Sequence, residues 1–401
     1  PRTPCRMPDV VRELDGVVVP LPPGSPLDLP SEVLSPLDGI FAAAHIVGLG
    51  EATHGTADFV ELKQRLFRHL VEAHGHRALA YELGFAASLA LDRYVTTGRG
   101  SLDELLSGLP WIQANRQVRA VLEWMRDHNS GLPEDQRLRF IGIDSQLDMW
   151  HLDVHRALVH DRFPELEEDL RPFFDELGAV GKIDYRTLTV QEFDRIAWLL
   201  SGMASVVDRR SSDLSRERHL VASHLVEALE RSHEFLLSAY QGDNNVRDRH
   251  LAENALWISE LLGEGARYSV WAHNSHIGTN PGFHGAIGPG SMGVFLARRL
   301  GEGYVRVATT FTRGSFVAVQ GDWRGRDTSP MNCRIDEAPP PDSVNAVLER
   351  ARPDRYLLPL RSIPDGSELR RFLAAERPML GVGDFYADTI EPHYRGPTRM
   401  T

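Results

Sequence analysis

The sequence predicts an α/β protein: a mostly parallel central sheet flanked by helices, with a large helical insertion forming a second lobe. Three observations carry this expectation. Short, nearly continuous apolar runs rich in β-branched or aromatic residues, Ile46 to Leu49, Ala78 to Leu83, Leu138 to Ile143 and Tyr268 to Ala272, have strand length and the composition of parallel strands covered on both faces. Between the first three lie helical patterns such as Phe59, Leu62, Leu66 and Leu70, and that alternation marks βαβ units. From about Asp148 to Gly263 the pattern is almost uninterrupted helix, with breaks expected only at Pro164, Pro172 and the Gly178 to Gly181 region.

In chain order, residues 1–40 read as a proline-rich arm packing on the surface, because Pro20, Pro22, Pro23, Pro26, Pro30 and Pro36 remove backbone donors and favour extended structure. Residues 41–147 and 264–401 form the expected α/β catalytic core. Residues 148–263 form the helical lobe, whose stripes Leu220, Val221, Leu225, Leu229 and Leu251, Leu256, Ile258, Leu261, Leu262 suggest long antiparallel helices. Strand character returns at Tyr304 to Thr310 and Phe316 to Val319, followed by a loop at Pro339-Pro340-Pro341 and a final αβ segment. No internal repeat of 20 to 50 residues is visible.

A chain of 401 residues is long enough for two core-forming units or one large domain with an insertion. Forty-four basic against 56 acidic residues leave a net charge of -12, which argues against nucleic acid, since phosphate neutralisation needs a clustered basic face. Two cysteines, Cys5 and Cys333, are too few and too far apart for a disulfide framework or a zinc ribbon. No apolar run approaches a membrane span, and the start, Pro1 to Asp15, lacks the apolar core of a secretion signal, so the expectation is a soluble, cytoplasmic protein acting on a small molecule. Nothing in the pattern fixes an oligomeric state. Only two lysines occur, Lys63 and Lys182, so a lysine inside a suspected site stands out.

Chemistry concentrates in two stretches. Gly48-Leu49-Gly50-Glu51-Ala52-Thr53-His54-Gly55 resembles a dinucleotide turn, but Thr53 replaces the third glycine and Glu51 puts an acid where a pyrophosphate would sit. The better reading ends a strand at Gly50 and presents Glu51 and His54 from a tight turn. A carboxylate three residues before an imidazole can orient it and raise its basicity; the plain alternative is a polar helix cap at Thr53. Trp271-Ala272-His273-Asn274-Ser275-His276 places two imidazoles three residues apart at another strand end. Glu82, an acid at the end of an otherwise apolar strand, must be paired or functional. Lys63 could pair with Glu51 or Glu82, or be an ordinary surface lysine. No G-x-S-x-G elbow is present, neither cysteine has an obvious histidine partner, and no H-E-x-x-H or other ligand spacing fixes a metal. What remains is water activated directly by a histidine base, with no cofactor and no metal expected.

Gly50-Glu51-Ala52-Thr53-His54-Gly55, Lys63, Tyr81-Glu82, Gly142-Ile143-Asp144-Ser145-Gln146, Arg247-Asp248-Arg249, Trp271 to His276 and Ser291-Met292-Gly293 resemble, in this order and at similar spacing, the erythromycin esterase family. The resemblance runs from about Val47 to Phe316. It implies a metal-independent hydrolase that opens macrolide lactones with water activated by His54. Glu51 and Glu82 would be the orienting and water-positioning acids, and His273 and His276 the carbonyl-side imidazoles. Lys63, Arg247 and Asn274 fall to substrate binding or electrostatic support. Lys63 stands where resistance-type members are expected to have arginine, and lysine cannot reproduce a bidentate guanidinium contact. The substrate is thus expected to be a macrolide, polyketide or other ester or lactone; the alternative is a natural-product tailoring enzyme using the same acid/base set for dehydration, cyclisation or rearrangement.

Overall fold

The computed structural model describes residues 6–146, 148–180, 187–240, 246–279, 290–320, 329–387, 393–398 and 400. Five parallel strands carry the α/β core: β1 (Ile46–Glu51), β2 (His76–Tyr81), β3 (Arg139–Gly142), β4 (Arg267–His273) and β5 (Tyr304–Val307). Four of the apolar runs read from the sequence coincide with β1 to β4, and every residue of β1 is buried, as a strand covered on both faces must be. Three strands stop earlier than their apolar runs do, β3 by one residue at Gly142. β2 ends at Tyr81 rather than Leu83, and β5 at Val307 rather than Thr310.

The chain divides into two compact units, residues 1–76, 106–121 and 267–401 in the first and 77–105 and 122–266 in the second. In the first unit β1 lies between β4 and β5, with Gly50 opposite Ala272 and Glu51 opposite His273. That register sets an acid and an imidazole side by side at two strand ends. The helix Ala57–His74 follows β1 and buries Val60, Lys63, Gln64, Phe67 and Leu70 along one face. Gly75, in the left-handed region at φ 69°, ends it, where a side chain would be strained.

The expected arm carries a helix, Met7–Val17, whose Val10 and Leu14 are buried with Val344, Val347, Leu369 and Phe372. Gly314–Gln320 pairs antiparallel with Pro330–Ile335 and parallel with Phe385–Tyr386 in a separate three-stranded sheet. Cys333, on that sheet, is buried, and Cys5 lies outside the described residues.

In the second unit β2 pairs with β3, from Ala78 opposite Arg139 to Tyr81 opposite Gly142. Among the described residues, five helices occupy the stretch expected to be helical: Leu152–Arg162, Pro164–Val180, Val190–Arg209, Arg216–Tyr240 and Val246–Leu262, with sequence neighbours packed on one another. Pro172 does not break its helix, contrary to expectation. Its position is exposed, so water can take up the carbonyl that loses its partner. A break that was not expected falls at residues 210–215, and Gly181 lies outside the described residues. Among the described residues no helix is long and apolar enough to cross a membrane.

Candidate active site

The turn after β1 is held by residues far along the chain. The backbone N–H of Ala52 donates to Thr309 Oγ1 at 3.2 Å, and its carbonyl accepts from Val382 N at 2.9 Å and Gly383 N at 3.2 Å. His54 N donates to the Gly383 carbonyl at 3.2 Å, and Val317 N donates to the Gly55 carbonyl at 3.0 Å. A Cβ on Gly55 would lie 1.9 Å from the Val317 carbonyl oxygen, and one on Gly50 2.3 Å from Asn274 Oδ1, so close backbone approach explains both glycines. Thr53 is not the helix cap. Its hydroxyl accepts from Gly55 N at 3.2 Å and contacts Thr56 Oγ1 at 2.9 Å, closing a local turn before the helix at Ala57.

This backbone aims Glu51 between two partners. Glu51 Oε1 lies 2.7 Å from His54 Nδ1, while Oε2 accepts a hydrogen bond from the Lys63 ammonium. Lys63 is almost wholly buried at 1 % exposure, so the surface alternative falls, and its Nζ sits 4.0 Å from the centroid of the Trp271 ring. Burial alone would raise the Glu51 carboxyl. The Lys63 charge and the His54 and Lys63 hydrogen bonds outweigh it and hold the group below the ordinary glutamate value. An ionised Glu51 accepts Nδ1–H of His54, which puts the ring's basic lone pair on Nε2. The His54 side chain keeps 13 % of its surface accessible.

His273 packs its ring against that of His54, with centroids 5.2 Å apart and planes at 43°. Its own nitrogens turn inward: Nδ1 accepts from Ser275 N at 3.2 Å and pairs with Ser275 Oγ at 2.8 Å, and Nε2 lies 3.3 Å from the Ala52 carbonyl. His273 thus caps the short helical turn Asn274–Ile277, in which His276 is buried. Asn274 donates to the Thr309 carbonyl at 2.7 Å.

In the second unit Glu82 follows β2 and meets Arg247, whose Nη2 donates to Glu82 Oε1 at 3.0 Å and to Asp144 Oδ2 at 2.7 Å. A second bond, Arg247 Nε to Asp144 Oδ1 at 3.2 Å, makes the Asp144 contact bidentate. Burial would lower the guanidinium, but Asp144 and Glu82 reverse the effect and keep it firmly protonated. Asp148 lies beside this clamp, its Oδ1 3.4 Å from Ala86 N and 3.5 Å from His155 Nε2. Burial pushes its carboxyl up to about 7, against the Ala86 hydrogen bond and with help from the Asp144 charge.

Of the residues singled out from the sequence, the first unit gathers Glu51, His54, Lys63 and His273 into one cluster, with Asn274 and His276 on the adjoining turn, and the second unit joins Glu82 to Arg247. Sequence reasoning gave no role to Trp271, Ser275, Thr309, Val382 or Gly383. Only Trp271 and Ser275 sat within a noted motif. Asp144 was part of a quoted motif with no role attached, and Asp148 carried no signal beyond being an acid in a helical stretch.

The sequence model of the erythromycin esterase family matches residues 71–400, which takes in Glu82, Asp144, Arg247, His273 and His276 and begins after Lys63. The type II erythromycin esterase of Escherichia coli is 23% identical over 310 residues, 71% of this chain and 73% of that enzyme. A Bacillus cereus protein of known crystal structure superposes with a TM-score of 0.80 at 24% identity, covering 96% of this chain and 93% of that one. A crystal structure described as a succinoglycan biosynthesis protein gives a TM-score of 0.76 at 26% identity, covering 98% and 94%.

Proposed function

The chain belongs to the erythromycin esterase family, and from that premise we propose that it is a carboxylic ester hydrolase or lactonase that uses water activated by His54. The observation that carries this reading is the Glu51 to His54 contact at 2.7 Å, backed by buried Lys63. Glu51 holds Nδ1–H, so Nε2 takes a proton from water as the oxygen attacks the ester carbonyl. The imidazolium formed is stabilised by the same carboxylate and returns its proton to the departing alkoxide. Lys63 serves two ends: it keeps Glu51 ionised, and it places a cation beside that acid, so the reading needs no metal there. His273, with both nitrogens engaged in the protein, supports the His54 ring. His276 is kept as the carbonyl-side imidazole, and Glu82, steadied by Arg247, as the second acid.

The test is incubation with macrolides and p-nitrophenyl esters in ¹⁸O-labelled water. One labelled oxygen in the acid product is expected. Absence of turnover with every ester and lactone tried would overturn the reading. Likeness to a protein described as acting in succinoglycan biosynthesis favours one further reading, a biosynthetic step using the same base without net hydrolysis. A product of unchanged mass, or one lighter by a water, would select it.

A further inference from the structure

Outside the cluster around His54, the first unit brings two imidazoles onto one carboxylate oxygen. Asp38 opens the short helix Asp38–Phe41, and His69 and His74 lie in the last turns of the helix Ala57–His74. His69 Nε2 is 2.7 Å and His74 Nε2 2.8 Å from Asp38 Oδ1, and the three candidate ligand atoms all fall within 4.8 Å of one another. We propose that Asp38, His69 and His74 form a binding site for a divalent first-row transition metal such as Zn²⁺, a structural staple rather than part of the catalytic cluster.

Donor chemistry and geometry support it. Two imidazole nitrogens and one carboxylate suit zinc, with water as the fourth ligand. Zinc to ligand bonds of about 2.0 to 2.1 Å place tetrahedral ligands roughly 3.3 Å apart, so each contact needs to open by only about half an ångström. The imidazoles are nearly covered, with side-chain exposures of 5% for His69 and 8% for His74, while Asp38 at 41% leaves a side open to solvent. The rings stand 65° apart with centroids separated by 5.7 Å, and the Phe41 ring meets His74 edge-on and restrains it. With neutral imidazoles the trio carries one negative charge. Arg267, which donates to the carbonyls of His74 at 3.4 Å and Ala42 at 2.9 Å, opposes a cation here, so the affinity belongs in the micromolar range rather than that of a zinc finger. A bound metal would tie residue 38 to a helix end 31 and 36 positions away in sequence and stabilise the native state, since the unfolded chain has no such preformed site.

The experiment is calorimetric titration of chelator-treated full-length protein with Zn²⁺ at pH 7.5, with competition by a chromophoric chelator, for wild type, His69→Gln, Asp38→Asn and His54→Ala. One equivalent should bind in wild type and in His54→Ala. Binding should weaken at least tenfold in Asp38→Asn and His69→Gln, and zinc should raise the wild-type Tm by about 2 to 4 °C without raising theirs. Should His69→Gln fail to fold, Asp38→Asn, altered at a half-exposed position, still decides. The proposal is overturned if no stoichiometric binding occurs, if both altered sites keep wild-type affinity, or if the equivalent is lost in His54→Ala.

Discussion

Two strand ends in this protein carry acids in opposite electrostatic settings. After β1, Glu51 faces one imidazole and one ammonium, so with His54 neutral the group balances to zero and has room for one more proton. After β2, Glu82 and Asp144 share the Arg247 guanidinium beside a third acid, Asp148. Under the proposed mechanism the first arrangement poises a base. The second commits its cation to a clamp, and burial, with a smaller push from Asp144, drives the neighbouring Asp148 toward protonation. An acid at a strand end therefore says little about chemistry until its counter-charges are counted.

The largest effect expected on this contrast comes from Glu51→Gln. It leaves the Lys63 ammonium buried against the Trp271 ring without its carboxylate, so unfolding free energy should fall by about 3 to 5 kcal/mol, read by urea denaturation. It also removes the acceptor that orients His54, and kcat should drop by about 10- to 100-fold. A variant as stable and active as wild type would show that the pair lends the imidazole nothing.

His54→Ala separates chemistry from folding. Being partly accessible and bonded at Nδ1, the imidazole should be dispensable for stability, while kcat falls by about 10² to 10⁴ with thermal unfolding little changed. Insoluble protein would make His54 a structural residue and reverse the assignment of the two strand ends.

Arg247→Met tests the clamp. With the guanidinium gone, Glu82 and Asp144 lose the charge they share, and stability should fall by about 3 kcal/mol at pH 8. The loss should be far smaller when Arg247→Met is made in a Glu82→Gln, Asp144→Asn background, and an equal loss there would trace the effect to packing instead of charge.

These two ends differ as much in legibility as in charge. The strands were readable because burial on both faces forces continuous apolar runs, and the Glu51 to His54 contact because three residues of tight turn bring an acid and an imidazole together whatever the distant context. Lys63 was half-readable: it falls on the helix face of Val60, Phe67 and Leu70, a stripe where a charge must find a partner. The rest rests on contacts between remote segments, which leave no local period. Val382 and Gly383 hold the Ala52 turn through backbone N–H groups that every residue type but proline supplies. Asp38, His69 and His74 meet only because a short helix returns to the end of a long one. The helix Met7–Val17 precedes a proline-rich stretch that reads as extended, although its Val10 and Leu14 have helical spacing. Asp148 gained its character from burial, with a smaller push from the Asp144 charge, and both are set by the fold alone.

Asp148 supplies the smallest and most exacting test. Its folded value of about 7 exceeds the ordinary 3.8, so between those limits the native state holds a proton that the unfolded chain has released. Stability from this group is therefore fully present below about pH 4 and declines as pH rises toward 7. His155, pushed down to about 4 by burial, works the other way, its contribution rising between about pH 4 and 6.5. Whole-protein curves would hide both. The difference between wild type and Asp148→Asn, made in a His155→Gln background to remove the imidazole 3.5 Å away, isolates the acid. In that background the protein with Asp148 should lose on the order of 2 kcal/mol relative to Asp148→Asn between pH 4.5 and 8, measured as urea unfolding free energies. A difference that stays flat across that range would mean Asp148 is ionised throughout, and that the second strand end tolerates a charge which the Asp144 to Arg247 clamp leaves unbalanced.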